Sequence, residues 1–432
     1  MRKKIFFLCL LLIFIFPLQS QDYVNTCIIS VEKTAENVKS LKYMGLDFLM
    51  EWEGKIYIVA TPEDLQRLQE KHLFYTFEEL ALPPAAQKEL SLQAGVNGAY
   101  HTYSELETDL LALEQAYPQI IKIYSIGMSL EQRNIYAIKI SDNVNAEEDE
   151  PGVLFLGCHH AREWISVEVP YLIGKYLAEN YSSNAEIKNL VDNSQIWIVP
   201  LVNPDGLEYS IHFYRYWRKN RRDNGHNEFG VDINRNYSYK WGCDNYGSSP
   251  DPSSQVYRGT EAFSEPETQV IRDLCSTRNF HALISFHSYS QVIIYPWGYT
   301  EEKCNKHDQL DKIAAKMSEL MKEVNGRTYT YGQAGAALYY TNGDTTDWAF
   351  GVYNIPAYTI ELPPVDQVRG GFFNSEEDIQ SIFSENLPAA LYLIEWAIQN
   401  YESKKDNSER LGELKEERRK NLTIKGERGK IE

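Results

Sequence analysis

Short apolar runs alternate with segments of helical periodicity between Tyr100 and Gln399, and this pattern limits the fold more than any other feature. The apolar runs are Ile121–Ile126, Ile135–Ile140, Val153–Gly157, Ile196–Val199, Ala282–Phe286 and Tyr358–Glu361. The periodic segments are Tyr103–Tyr117, Val167–Glu179, Glu265–Thr277, Gln309–Val324 and Ile379–Gln399. Strands that are apolar on both faces, with helices between them, indicate an α/β sheet that helices cover on both sides. Functional groups in such sheets lie beyond the carboxyl ends of the strands.

A smaller mixed unit precedes this region, and its pattern predicts the element order β-α-β-β-α-β. The predicted strands are Cys27–Val31, Phe48–Trp52, Lys55–Ala60 and Leu73–Phe77. Thr34 and Thr61 are expected to cap the two helices between them. This is the order of the ferredoxin-like α+β arrangement. A linker containing Pro83 and Pro84 follows, and the chain ends in a charged segment with few large apolar residues.

The first twenty residues have the pattern of a secretory signal. Basic residues at positions 2–4 precede the apolar run Ile5–Phe16, and small polar residues follow Pro17 up to Ser20. The alternative is a membrane anchor, but spanning a bilayer needs about 20 apolar residues. No later segment is long and apolar enough to span. We therefore expect a soluble, secreted protein, extracellular or periplasmic, with no stable membrane span.

Composition and cysteine spacing exclude several classes of function. The chain of 432 residues has a net charge of −18, whereas nucleic-acid binding needs a basic surface. We therefore expect no nucleic-acid partner. The five cysteines after the signal include no Cys-x-x-Cys pair, which argues against a structural zinc knuckle. One or two disulfides remain open.

Two histidines and a glutamate at predicted strand ends are candidates for a metal site. His160 and Glu163 follow the run Val153–Gly157, and their i,i+3 spacing lets both reach one ion. A catalytic zinc uses three such nitrogen or oxygen ligands plus a water. His287, after the run Ala282–Phe286, is a candidate for the third ligand. A His-x-x-Glu spacing alone is weak evidence and also fits an ordinary salt-bridged turn, but two strand-end clusters in one α/β domain favour a site.

Two further polar clusters follow along the chain. The basic segment Arg215–Arg222 precedes Val231–Asn236, and its arginines offer bidentate pairing with carboxylates or stabilisation of an oxyanion. The alternative is a solvated basic loop. The segment Leu338–Trp348 precedes Glu361, a carboxylate at an apolar strand end that could act as a general base near a metal. The alternative is an ordinary charge at the end of an element.

These residues together resemble the zinc metallocarboxypeptidases of the carboxypeptidase A/B type. The matching motifs, in order, are His160–Trp164, Asn234–Asn236, His287–Gln291, Tyr339 and Thr359–Leu362. Two further stretches, Tyr239–Cys243 and Val256–Gly259, look closest to bacterial carboxypeptidase T. The resemblance implies an α/β/α sandwich with a mixed eight-stranded sheet, behind a small ferredoxin-like pro-domain. The implied organisation is a signal peptide over 1–20, a pro-domain over 21–80, an activation linker over 81–98, a catalytic domain over 99–400 and a charged tail over 401–432.

The resemblance also implies a role for each matching residue. His160, Glu163 and His287 would bind one zinc ion per chain. Glu361 would take the proton from the attacking water and pass it to the leaving amine, while Arg218 would stabilise the oxyanion. The residues that would bind the free terminal carboxylate of the substrate are Arg162, Asn234, Arg235 and Tyr339. The implied protein is a monomeric secreted carboxypeptidase, made as a zymogen, that acts on peptide and protein C-termini after an activating protease has cut it.

The implied pocket for the terminal side chain has an unusual floor. Thr346 occupies the position where the family carries Asp in enzymes selective for Lys and Arg, and Ile in enzymes selective for apolar residues. Asp344 stands two residues earlier, and the implied walls are Ile294, Gly298, Leu338 and Thr359. We expect a broad preference for apolar and aromatic ends and also for basic ends, whose charge would reach Asp344. The alternative is that Asp344 points to solvent and the preference is purely apolar.

Two other functions would retain this fold. An inert zinc- or peptide-binding relative would lose a ligand, Glu361 or Arg235, and none is lost here. A cell-wall amidase or deacylase of the same superfamily would generally lack the full set Asn234, Arg235 and Tyr339. One departure from the animal enzymes is present, because Pro363 and Pro364 follow Leu362 where those enzymes have an Arg-Asp pair.

Overall fold

The computed structural model describes residues 27–42, 44–52, 54–78, 97–365 and 371–401. The predicted signal peptide, nearly all of the predicted linker and nearly all of the charged tail lie outside these residues. Within them, no helix has both the length and the apolar character needed to cross a membrane. The cysteines of this part of the chain are all free thiols, so the disulfides left open by the sequence are absent from it.

The larger unit is an α/β fold built on a mixed eight-stranded sheet, as expected. Its strands are β5 (Ile121–Met128), β6 (Asn134–Ile140), β7 (Gly152–Gly157), β8 (Gln195–Val199), β9 (Phe280–Ser288), β10 (Val292–Tyr295), β11 (Thr330–Gln333) and β12 (Ala357–Leu362). Their order across the sheet is β11-β10-β12-β9-β7-β8-β6-β5. The central neighbours β12, β9, β7 and β8 run parallel, whereas β5, β6 and β10 pair antiparallel within the sheet.

Both faces of the sheet are buried, and the apolar strands account for this. In β7, Val153 and Phe155 belong to the hydrophobic core on one face. The alternate residues Leu154 and Leu156 belong to the core on the other face. Because successive side chains of a strand point to opposite faces, a strand buried on both sides must be apolar throughout.

Helices cover these two faces. They are α3 (Tyr103–Ala116), α4 (Ile165–Asn180), α5 (Ala185–Asp192), α6 (Pro204–His212), α7 (Pro266–Thr277), α8 (His307–Asn325), a single turn α9 (Ala334–Ala337), α10 (Thr345–Tyr353) and a last helix α11 over 379–401. The five helices expected from periodicity are present, with ends that differ by at most a few residues. The sequence reading missed α5, α6, α10 and the short strands β10 and β11, because each is too short to show a clear period.

The N-terminal unit has the expected ferredoxin-like topology. Its elements are β1 (Cys27–Glu32), α1 (Ala35–Lys42), β2 (Asp47–Trp52), β3 (Lys55–Ala60), α2 (Pro62–Glu70) and β4 (Thr76–Phe77). The sheet order is β2-β3-β1-β4. The predicted strand Leu73–Phe77 was too long, because only its last two residues pair with β1. One face of this unit contacts the larger unit, where Tyr57 and Val59 pack against Phe372.

Candidate active site

Three neighbouring parallel strands bring the candidate metal ligands and the candidate base together. His160 and Glu163 follow the end of β7, and His287 lies near the end of β9. Glu361 in β12 is the register partner of His287. Residues far apart in sequence therefore converge because the carboxyl ends of β7, β9 and β12 meet at one edge of the sheet.

The candidate ligand atoms surround one point. Nδ1 of His160 lies 2.7 Å from Oε1 of Glu163, and Nδ1 of His287 lies 3.0 Å from Oε2 of the same carboxylate. The two Nδ1 atoms are 3.1 Å apart. All three side chains are buried, and their ligand atoms lie within 4.8 Å of one another. Two imidazole nitrogens and a carboxylate are a donor set that zinc prefers, so these residues fit a zinc ion.

The electrostatics of this group favour the forms that bind a cation. Burial alone would raise the pKa of Glu163, but the imidazoles of His160 and His287 outweigh it and hold that pKa well below the usual range. Burial lowers the pKa of His287, which favours the neutral imidazole. A carboxylate and a neutral imidazole are the ligand forms that zinc requires.

Asp232 lies behind the candidate ligands, and the sequence reading gave it no role. Its Oδ2 accepts hydrogen bonds from Nε and Nη2 of Arg218, at 3.0 and 2.9 Å. Its Oδ1 lies 3.3 Å from Nε2 of His160. Burial would raise the pKa of Asp232, but Arg218 and Arg235 lower it well below its ordinary value. A metal-ligating histidine commonly has such a partner on its far nitrogen, and this rule could have identified Asp232 in the motif Val231–Asn236.

The candidate carboxylate-binding residues lie beside this centre. The Arg235 guanidinium is held by backbone oxygens, since Nε donates to Gly247 at 2.9 Å and Nη1 donates to Asn234 at 2.8 Å. Asn234 Oδ1 accepts from the backbone N–H and the hydroxyl of Thr345, at 3.0 and 2.7 Å. Both side chains are buried. Their fixed positions suit them to hold an anion.

The N-terminal unit closes over the site and leaves a cavity of about 600 Å³. The catalytic side of the cavity is lined by His160, Glu163, Arg218, Tyr339 and Glu361, among others. The N-terminal side includes Leu41, Phe48 and Ile56. The ring of Phe48 stacks on Tyr339 with centroids 5.5 Å apart.

Arg162 is engaged by the N-terminal unit, which its expected role in substrate binding did not anticipate. Asp47 Oδ2 and Oδ1 accept from Nη1 and Nη2 of Arg162, at 2.9 and 2.7 Å. The Phe372 ring lies 4.1 Å from the same guanidinium. Nothing in the local sequence of Asp47 indicates this bidentate pair, because its partner is 115 residues away.

The predicted pocket floor is built around the N-terminus of α10. Asp344 caps this helix, and its Oδ1 accepts from the Asp347 N–H at 2.9 Å and the Thr346 hydroxyl at 2.8 Å. Oδ2 accepts from the Thr341 hydroxyl at 2.7 Å. Thr341 lies in the segment Leu338–Trp348, but its sequence alone indicated no role for it. Asp344 is 5% exposed, so the alternative in which it points to solvent is wrong.

Gly298 lies close to the same carboxylate. A Cβ atom added to it would stand 3.0 Å from Asp344 Oδ2. Of the other expected walls, Ile294 and Thr359 are register partners on adjacent strands.

The fold and this donor set together define the class of zinc-dependent hydrolases, and comparison with known proteins gives the family. A model of the zinc carboxypeptidase family, peptidase M14, matches residues 106–389. Carboxypeptidase O of Bos taurus is 31% identical over 307 residues, which are 70% of this chain and 80% of the relative. Carboxypeptidase B of Astacus astacus is 34% identical over 287 residues, 65% of this chain and 91% of the relative.

Solved structures agree on the fold. The carboxypeptidase A structure from Helicoverpa armigera has a TM-score of 0.72 at 24% identity, covering 87% of this chain and 97% of that chain. The chain therefore belongs to the zinc carboxypeptidase family, whose members bind one zinc ion, and it is a metallocarboxypeptidase that hydrolyses peptides.

Proposed function

We propose that this metallocarboxypeptidase is exported, is made as a zymogen and removes the C-terminal residue of peptides and proteins. In this proposal His160, Glu163 and His287 hold the zinc, and Asn234, Arg235 and Tyr339 bind the terminal carboxylate. The observation that carries the proposal is the convergence of the three ligand atoms within 4.8 Å, in the cavity that Arg218, Tyr339 and Glu361 also line.

Zinc, when bound, supplies a Lewis acid that polarises the scissile carbonyl and acidifies the attacking water. Glu361 accepts the proton from that water and passes it to the leaving amine. Burial and the nearby Glu163 carboxylate raise the pKa of Glu361 well above its ordinary value. A carboxyl group with a raised pKa holds a proton between two steps better than an exposed one does.

Arg218 stabilises the negative charge that develops on the carbonyl oxygen. Its position does not depend on substrate, because Asp232 accepts from two of its nitrogens. A donor that is already oriented needs no reorganisation when the charge appears. Arg235 and Asn234 hold the terminal carboxylate, and this contact selects the last peptide bond. A substrate without that carboxylate would leave a buried arginine unpaired.

The proposed side-chain preference is broad and includes apolar, aromatic and basic ends. Asp344 supports it, because its buried carboxylate lies beside Gly298 rather than in solvent. A basic side chain would lay its aliphatic part on the walls and place its charge near Asp344. Asp47 and Phe48 support the zymogen form, because they contact Arg162 and Tyr339.

The test compares hydrolysis of a blocked dipeptide ending in Phe with hydrolysis of its C-terminal amide, using chain cut in the linker. We expect the acid to be cleaved, the amide to resist and a chelator to abolish activity. Metal analysis should give one zinc per chain, and His287→Ala should lose it. Equal hydrolysis of acid and amide would exclude the carboxypeptidase role of Arg235, and full zinc occupancy in His287→Ala would exclude this ligand set.

A further inference from the structure

His159 is a buried histidine that the proposed chemistry does not use. It lies next to His160 in sequence, and its ring stacks on that of His287 with centroids 5.5 Å apart and an interplanar angle of 15°. Its exposed fraction is 0%. Burying an imidazole is costly unless both nitrogens are hydrogen-bonded, and both are.

The partners of His159 lie on opposite sides of the ring. Nδ1 is 3.3 Å from the hydroxyl of Ser285, and that hydroxyl is 3.0 Å from Nε2 of His287. Nε2 of His159 is 2.9 Å from the Tyr237 hydroxyl and 3.1 Å from the Thr345 hydroxyl. Thr345 in turn donates to Asn234. A continuous chain of hydrogen bonds thus joins His287 to Asn234.

The donors and acceptors give this chain of hydrogen bonds one direction, from His287 to Asn234. When Nδ1 of His287 holds the zinc, the one hydrogen of this neutral imidazole lies on Nε2 and donates to the Ser285 hydroxyl. Ser285 then donates its own hydrogen to Nδ1 of His159, which leaves the His159 hydrogen on Nε2. That N–H donates towards Thr345 and Tyr237, and the Thr345 hydroxyl donates to Asn234 Oδ1.

The last hydrogen bonds of this series determine which way the side-chain amide of Asn234 points. Because Oδ1 accepts both contacts from Thr345, the amide group Nδ2 is the part of Asn234 that can donate to a carboxylate. In a buried chain each hydrogen bond is costly to lose and supports its neighbours. The orientation of a zinc ligand and the orientation of a carboxylate-binding residue therefore depend on one set of bonds.

We propose that His159 is a positioning residue that couples the zinc ligand His287 to the carboxylate-binding residue Asn234 through Ser285 and Thr345. This inference rests on the proposed roles of His287 and Asn234. Coupling between two sites is reciprocal, so a change at either end must be measurable at the other.

The test removes one hydrogen bond at each end of the hydrogen-bond chain in turn and measures ligand affinity at the opposite end. Thr345→Val keeps the side-chain shape and removes the hydroxyl; zinc affinity is then measured by competition with a chelator, with no substrate present. Ser285→Ala removes the bond to His287; binding of 3-phenylpropanoate is then measured by calorimetry on zinc-free protein, with the corresponding amide as a blank. Both assays use the full chain and the chain cut in its linker. We expect each variant to weaken binding at the opposite end by about fivefold or more.

A matched control is available in Thr268→Val. Thr268 is also buried and donates to an asparagine oxygen, Asn236 Oδ1, at 2.8 Å, but it does not contact His159. It should leave both affinities unchanged. His159→Leu should weaken both, with zinc affinity falling about 10- to 100-fold. The two end variants keep His159 in place, so the test does not depend on how well His159→Leu folds.

The outcomes separate this inference from the proposed function. If wild-type protein fails to bind zinc or the carboxylate probe, the proposed function is wrong. If wild-type protein binds both, but Thr345→Val retains wild-type zinc affinity or Ser285→Ala retains wild-type probe affinity, the coupling is wrong.

Discussion

Neighbouring carboxylates in one cavity acquire opposite acid–base properties from their surroundings. Glu163 faces two imidazoles, which lower its pKa despite its burial. Glu361 has no such partner at hydrogen-bonding distance among the described contacts, and burial together with the charge of Glu163 raises its pKa. A low pKa suits a permanent ligand and a high pKa suits a group that carries a proton. The two roles therefore follow from position and not from residue type.

Replacing Glu361 by glutamine tests its role as the proton carrier. The amide keeps the shape of the side chain but cannot accept the proton, so kcat should fall by about 10²- to 10⁴-fold. Zinc content should stay at one per chain, which metal analysis checks. The matched control is Glu302→Gln at an exposed position, which should have no effect. A turnover close to wild type in Glu361→Gln would remove this residue from the chemistry.

Replacing Asp344 by asparagine tests the pocket. Asparagine is as good a helix cap as aspartate, so α10 should be retained while the charge is lost. We expect kcat/KM to be highest for peptides ending in Phe and Leu, measurable for Arg and lowest for Glu. In the variant, kcat/KM for Arg should fall about 10- to 100-fold, since a hydrogen bond to a charged group contributes about 1.5–3 kcal/mol. An Arg rate that does not change, with Phe as the internal reference, would place Asp344 outside the recognition of basic ends.

At the scale of elements, His101, which precedes α3, links the start of the catalytic unit to a second helix. Thr102 caps α3 in a capping box with Glu105. The adjacent His101 contacts Glu168 of α4 through Nδ1 at 2.7 Å and Asp109 of α3 through Nε2 at 3.2 Å. His101 therefore joins the first two helices of this unit when both of its nitrogens carry a hydrogen.

The pH dependence of stability tests this link. Burial alone would lower the pKa of His101, but Glu168 and Asp109 raise it from 6.5 to about 9, which corresponds to about 3 kcal/mol. Because the folded-state pKa is the higher one, the stabilisation is complete below about pH 6.5 and is lost as the pH rises through about 9. His101→Gln should thus lower the free energy of urea unfolding at about pH 6 and have little effect at about pH 10. The exposed His226, changed to Gln, serves as the control, and an equal loss at both pH values would contradict the ion-pair explanation.

At the scale of the whole molecule, the N-terminal unit occupies the approach to the site. Asp47 forms a bidentate pair with Arg162, and Phe48 stacks on Tyr339. A peptide that is to reach Tyr339 must displace these contacts. We therefore predict that cleavage in the linker, followed by release of the N-terminal unit, activates the enzyme.

Lys88 is the predicted cleavage site, because it is the only Lys or Arg between Lys71 and Lys122. It lies outside the described residues, and the small and polar residues of its segment are typical of sequences that proteases cut readily. A trypsin-like protease should cut after Lys88 and raise activity on peptides. Lys88→Gln should block both events, whereas Lys71→Gln should block neither. Full peptidase activity in uncut wild-type chain would contradict the zymogen proposal.

The sequence by itself determined the strands, the long helices and the chemistry of the candidate ligands. Strands such as β7 are buried on both faces, so their sequence must be apolar throughout, and a helix such as α8 repeats its apolar residues often enough to show a period. His160 and Glu163 could be paired because their i,i+3 spacing places them side by side in one turn. Their positions at predicted strand ends made His287 and Glu361 candidates, and the family resemblance supplied the role of Arg235.

Only the tertiary structure decided which distant groups meet. The pair Asp47–Arg162 and the bridge from Asp232 to Arg218 leave no periodic signal, because each depends on how separate segments are placed by the fold. The hydrogen bonds of His159 also come only from the tertiary structure. The sequence shows that His159 is next to the candidate ligand His160, but it does not show which residues His159 contacts. A single side chain has no preferred distant contact until burial removes water as the alternative. The fold therefore converts these local residues into one connected site.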